Sequence, residues 1–308
     1  MYVRESAVKG KRPLFDSITI VKTYPIHFIL SSLVLMFLLS ACDDHRFPGL
    51  APSQLRLKTV TEVIGSNQLT SEFSYDQQGK LSGIKTYRKD TARLEFTSYI
   101  YDNQSKLVQI QRTIQTHLTP DPPRTKTDRY SFGYAGDDQI AEIRYTNNAV
   151  DSLNFICKPT YNSANQIIGN YVESFNGYQY NQFTTQFTYT NKNLTSARIT
   201  FLPTGQVSEF DFLYDTKVNP FYGIIMPIAT LNLDPVTISP ISVFVYPAKN
   251  DGIANLMSLS QNNPTSDGYY DFVYTYNNLG LPTSRTAFRA GFPDRIVMGT
   301  LYFEYESY

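Results

Sequence analysis

Residues 73–88 read FSYDQQGKLSGIKTYR, and the fold is decided there. Phe73 and Tyr75 are separated by one residue, so in a strand both rings fall on one face. The polar run Asp76–Lys80 can turn, because Asp bonds its own backbone and Gly tolerates positive φ. Leu81 then restarts an apolar-polar mixture that suits a strand dry on one side and wet on the other. The stretch predicts a hairpin.

The unit recurs along the chain. Aromatic-x-Tyr pairs stand at Tyr99/Tyr101, Phe132/Tyr134, Phe187/Tyr189, Phe212/Tyr214, Tyr274/Tyr276 and Phe303/Tyr305. An aliphatic residue follows six positions after Tyr75, Tyr101, Tyr134 and Tyr161, and five after Tyr189 and Tyr276. The tyrosines from 75 to 214 recur every 25 to 33 residues, which marks an internal repeat. Turn segments DNQSK (102–106) and AGDDQ (135–139) resemble the first in composition. The predicted fold is therefore all-β: an antiparallel meander of repeated hairpins forming an extended or curled sheet.

Composition agrees. The 308 residues carry 42% hydrophobic and 18% charged residues, as folded domains do. The 24 Tyr and 20 Phe, with no Trp, are read mainly as repeat cores and cross-strand pairs rather than as a sugar-stacking surface. A formal net charge of zero offers no surface for phosphate, so no nucleic-acid partner is expected.

The N-terminal region reads differently. Residues 28–39, FILSSLVLMFLL, form an apolar run downstream of Lys9, Lys11, Arg12 and Lys22. That is the pattern of a secretory signal, and it is short for a membrane span, which takes about 20 residues. Leu39-Ser40-Ala41-Cys42 resembles the lipobox of bacterial lipoproteins. The resemblance implies cleavage before Cys42, acylation of that cysteine, and a membrane partner reached through it. Residues 1–41 are then the signal, 42–54 a lipidated tether, and 55–308 a single repeat domain with a Pro-rich insertion at 216–268. A helical turn near 221–229 and a strand near 241–246 are expected within the insertion. The long basic region also suggests a start nearer Val21. Two or three acyl chains would hold the chain at the membrane far better than one. Residues 43–54 could lift the domain up to roughly 40 Å above the bilayer.

Losing residues 1–41 removes five basic and two acidic residues and leaves a mature net charge of −3. Export would leave Cys157 with no intrachain partner, and a buried thiol is expected there.

Tyr75-Asp76-x-x-Gly79-Lys80-Leu81 looks like the YD repeat of Rhs-type proteins, as does Tyr101-Asp102 with Lys106-Leu107. Tyr134, Tyr161 and Tyr189 lack the following Asp. With the lipobox, Tyr214-Asp215-x-Lys217-x-Asn219-Pro220-Phe221 and the aromatic end 302–305, the chain resembles Bacteroidota lipoproteins of unknown function with degenerate YD-like repeats. The resemblance implies an antiparallel meander and brings no activity, while the lipobox, the repeats and the missing catalytic residues together point to a role at the outer membrane or cell surface. Seven or eight hairpins are too few to form the cage of large Rhs proteins.

No catalytic constellation stands out. His27 leaves with the signal, His45 lies in the tether, and His117 stands beside a Pro-rich loop. Neither His nor Cys residues fall at metal-ligand spacing, and Asp137-Asp138 reads as a solvated turn. No catalytic, cofactor-binding or metal residue is assigned, and no cofactor is expected. The site residue that the sequence yields is Cys42, for lipid attachment. The leading expectation is a non-enzymatic, lipid-anchored envelope protein that binds or scaffolds. The alternatives are a glycan-binding accessory lipoprotein of a polysaccharide-uptake system and a carboxylate-dependent hydrolase.

Overall fold

The computed structural model describes residues 55–88, 94–116, 124–136, 139–148, 154–175, 180–225, 256–268, 270–292 and 294–307. They form one antiparallel sheet of seventeen strands. In chain order these are β1 (Leu55–Ile64), β2 (Asn67–Tyr75), β3 (Leu81–Arg88), β4 (Leu94–Tyr101), β5 (Leu107–Thr116), β6 (Arg124–Ala135) and β7 (Gln139–Asn147). Then come β8 (Asn154–Tyr161), β9 (Ile167–Phe175), β10 (Tyr180–Thr190), β11 (Asn193–Phe201) and β12 (Gln206–Asp211). The last five are β13 (Leu213–Val218), β14 (Asn262–Ser266), β15 (Tyr270–Tyr276), β16 (Pro282–Arg289) and β17 (Val297–Ser307). Each strand pairs with its sequence neighbour except across the β12–β13 junction, and β17 returns to β1 with Leu57 opposite Tyr305 and Val60 opposite Phe303. The meander is therefore curled into a nearly closed barrel, the curled form of the predicted sheet. The Pro-rich stretch contributes the end of β13, a 3-10 turn at Leu256–Leu259 and β14. The strand expected near 241–246 lies outside the described residues.

The repeat has a hydrogen-bond explanation. In most units the tyrosine hydroxyl donates to the backbone carbonyl of the residue that opened the previous unit's return strand: Tyr101 to Leu81 (2.9 Å), Tyr134 to Leu107 (2.8 Å), Tyr161 to Ile140 (3.1 Å), Tyr214 to Leu194 (2.6 Å). Tyr75 does the same to Leu57 in β1, and Tyr305 to Pro282. Fixed Tyr-to-aliphatic spacing thus sets the register of neighbouring hairpins. Removing one hydroxyl strands a half-buried carbonyl, so Tyr101→Phe should cost about 1 kcal/mol in urea unfolding. Tyr189 has no such acceptor, and Tyr189→Phe should cost little. Equal losses in the two variants would contradict the role assigned to the hydroxyl.

The turns explain why Asp is dispensable. Asp76 Oδ1 accepts from the N–H groups of Gln78 and Lys80, both at 2.9 Å. Asp102 repeats this with Gln104 and Lys106. Asn162 and Asn277 hold their turns the same way. What the turn needs is a short side-chain oxygen, not a charge. Its fourth residue has positive φ, filled by Gly79 and Gly280 but also by Ser105 and Asn165.

Inner faces of most strands alternate apolar residues and share one core, including Val60, Ile110, Phe183, Leu194 and Leu301. The aromatic partners Phe73, Tyr99, Phe132, Phe187, Phe212 and Phe303 all lie in that core, and Tyr75, Tyr101, Tyr134, Tyr189, Tyr214 and Tyr305 pack against it. The segment after β13 enters the curl: Phe221 meets Phe303 at 5.8 Å between centroids, and Tyr99 donates to the Ile225 carbonyl at 3.0 Å. Cys157 is a fully buried thiol on the inner face of β8, as expected.

Candidate functional site

Inside the barrel a polar belt crosses the strands. The ring interior is lined with hydroxyls and charges where the strand alternation brings polar residues inward. Ser71 on β2 and Thr86 on β3 share a hydrogen bond of 2.8 Å. Beside them, Glu95 on β4 receives two bonds from Arg112 on β5, at 2.6 and 2.8 Å. Arg112 also faces Asp128 on β6 at 3.7 Å, and Asp128 accepts from Tyr145 on β7 at 2.8 Å. Cross-strand register places them together, with Arg112 opposite Asp128 and Thr97 opposite Arg112.

This cluster is buried and internally paired. Burial pushes the Arg112 guanidinium down, and the Glu95 and Asp128 carboxylates reverse that and hold it above its ordinary value. An acid, a base and a phenol stand together, yet Arg112 neutralises both carboxylates, and Tyr145 donates to Asp128 Oδ1 while Asp128 Oδ2 accepts no hydrogen bond. The arrangement fixes strand register and holds no poised nucleophile or proton donor.

Two other inward positions are less satisfied. Glu62 on β1 is buried, its Oε1 accepts no hydrogen bond, and burial raises its pKa to about 8 despite the lowering influence of Arg285 on β16. Asn170 on β9 and Thr185 on β10 stand opposite each other with both amide atoms and the hydroxyl lacking partners. Sequence patterning did not reveal any of these, because polar residues at inward positions look like ordinary departures from alternation.

The outer face has the opposite chemistry. Lys85, Arg129, Glu142, Arg144, Lys158, Glu173, Arg198 and Glu209 project from it, flanked along their strands by buried residues. A barrel that crossed a bilayer would carry an apolar band there, and each midplane Arg or Lys would cost about 2–4 kcal/mol. The two rims also differ. The short turns after β2, β4, β8, β10 and β15 lie at one rim, and β1 starts there, Leu55 opposite Ser307. The hairpin connections β9–β10 and β11–β12 lie at the other.

The sequence-assigned Cys42 lies outside the described residues, as do His27, His45, His117, Asp137 and Asp138. Among the described residues, no three His, Cys, Asp or Glu gather as a metal site. No described helix is long and apolar enough to cross a membrane.

No family model matches the chain, and no curated protein matches it. Among solved structures it is similar to a porin-like protein from Bacteroides uniformis ATCC 8492, at 15% identity and a TM-score of 0.42, covering 83% of this chain and 98% of that one. It is also similar to a porin-like protein from Bacteroides vulgatus ATCC 8482, at 10% identity and a TM-score of 0.40, covering 82% of this chain and 98% of that one.

Proposed function

We propose that this chain is a lipid-anchored envelope protein whose barrel stands outside the bilayer and acts by binding, not by catalysis. One observation carries the reading: the apolar core lies inside the barrel and charged residues stud its outer face, so its own strands are unsuited to lipid, while Leu39-Ser40-Ala41-Cys42 supplies a lipid attachment. The belt around Arg112 supports the non-catalytic half, because its charges neutralise one another within the core. β1 begins at the rim that carries the turns after β2 and β4. The outer membrane is the proposed location, in keeping with the family the sequence resembles. Radiolabelled palmitate should enter the wild-type protein in a bacterial host and fail to enter Cys42→Ala. Equal incorporation into both would end the anchored reading.

A further inference from the structure

The outward face mixes Thr, Gln and charged residues with exposed apolar side chains such as Phe96, Ile100, Val273 and Tyr302, and at the far rim of β9 and β10 it gathers three aromatic rings: Tyr171, Phe175 and Tyr180. None belongs to the repeated aromatic-x-Tyr register, whose rings are buried or half-buried in the core. Phe175 is 41% exposed and Tyr180 54%, and the two stand opposite each other across the β9–β10 pair. A polar network joins the group. Tyr171 donates to Glu173 Oε1 at 2.8 Å, and Gln182 Nε2 donates to the Tyr171 hydroxyl at 2.7 Å and the Tyr180 hydroxyl at 3.2 Å.

Resting on the binding role above, we infer that this surface is a binding site for neutral saccharide. The rings offer flat apolar area against which the C–H face of a pyranose can lie. The network holds Tyr171 and Tyr180 by their hydroxyls before any ligand arrives, which lowers the ordering cost of binding. Gln182 Nε2 is committed to the two tyrosines, which turns the amide so that its Oε1 acts as an acceptor beside the rings, and the Glu173 carboxylate supplies a second. Sugar hydroxyls are donors suited to both. The Glu173 charge excludes uronates and sulfated glycans by repulsion. A protein partner would be met by a broader apolar patch, whereas here the rings are interleaved with Glu173 and Gln182. The site lies at the rim opposite the start of β1.

The test is native affinity electrophoresis of the full-length chain in nonionic detergent. Gels would contain β-glucan, α-glucan, mannan or xylan, with polygalacturonate as the anionic control. At least one neutral polysaccharide should retard the wild-type protein and polygalacturonate should not. Tyr180→Ala and Phe175→Ala should each weaken the retardation about tenfold with thermal unfolding unchanged, since both side chains are exposed. Glu173→Gln should weaken it and relax the exclusion of polygalacturonate. The inference fails if no neutral polysaccharide retards the protein, or if Tyr180→Ala is retarded as strongly as wild type. It also fails if light scattering shows a wild-type dimer that Tyr180→Ala dissolves, which would make the surface a contact between copies. These readouts need no acyl chain, so the saccharide inference and the anchor stand or fall separately.

Discussion

Replacing Arg112 with Met should destabilise the barrel by about 3–5 kcal/mol, the largest loss expected from one side chain outside the turns. Arg112 is 1% exposed and bridges Glu95 and Asp128 across three adjacent strands. Met fills a similar volume, so cavity formation contributes little. The cost comes from two carboxylates left buried without their cation. Asp128 keeps its bonds from Tyr145 and a 3.5 Å approach from Lys126, so Glu95 suffers more. Adding Glu95→Gln to Arg112→Met should recover a large part of the loss, because a neutral amide leaves no buried charge. Urea denaturation of the two variants and wild type measures both effects. A loss under 1 kcal/mol for Arg112→Met would mean that the belt is solvated and not a core element.

Glu62→Gln should do the reverse, and its effect depends on pH. Burial raises the carboxyl from 4.5 to about 8 in the folded chain, so the folded protein holds this proton more tightly than the unfolded one. Stability from this group is therefore complete below pH 4.5. It falls as pH climbs from 4.5 towards 8 and levels off above. At about 1.4 kcal/mol per unit of separation, the fall amounts to several kcal/mol, with about 5 as an upper figure. Gln cannot ionise, so Glu62→Gln should match wild type near pH 4 and exceed it clearly at pH 9. Thermal unfolding at half-unit steps across that range gives the comparison. Parallel curves for the two proteins would show that Glu62 reaches solvent in the folded chain. The position matters because β1 closes the barrel against β17, so its strength bears on the integrity of the closed sheet.

Much of this architecture is legible in the sequence. Aromatic-x-Tyr, a polar turn and an aliphatic restart specify a hairpin locally, and Phe73, Tyr99, Phe132 and Phe303 all point into the core as the alternation requires. The degenerate copies are understood only with the turn geometry. Asn162 does in its turn what Asp76 does in the first, since both present an acceptor oxygen to two backbone amides. Closure is not legible. Whether a meander stays open or joins its ends depends on accumulated twist and on β1 meeting β17, some 240 residues apart in sequence, a pairing no local pattern encodes. Likewise Arg112, Glu95 and Asp128 are 17 and 16 residues apart in sequence and meet because register aligns them. The outer aromatic group is hidden for a related reason: among 44 Tyr and Phe, nothing in the sequence marks Tyr171, Phe175 and Tyr180 as outward-facing neighbours.

In the proposed function the membrane holds this protein by acyl chains at Cys42 and not by its strands. The direct test is fractionation of cells expressing wild type and Cys42→Ala, with the membranes washed in alkaline carbonate. Wild type should remain with the membranes, and Cys42→Ala should be recovered folded in the aqueous fraction. Cys42→Ala protein that has lost residues 1–41 and still stays in carbonate-washed membranes would contradict the acyl anchor, because the barrel with its charged outer face would then be embedded in the bilayer.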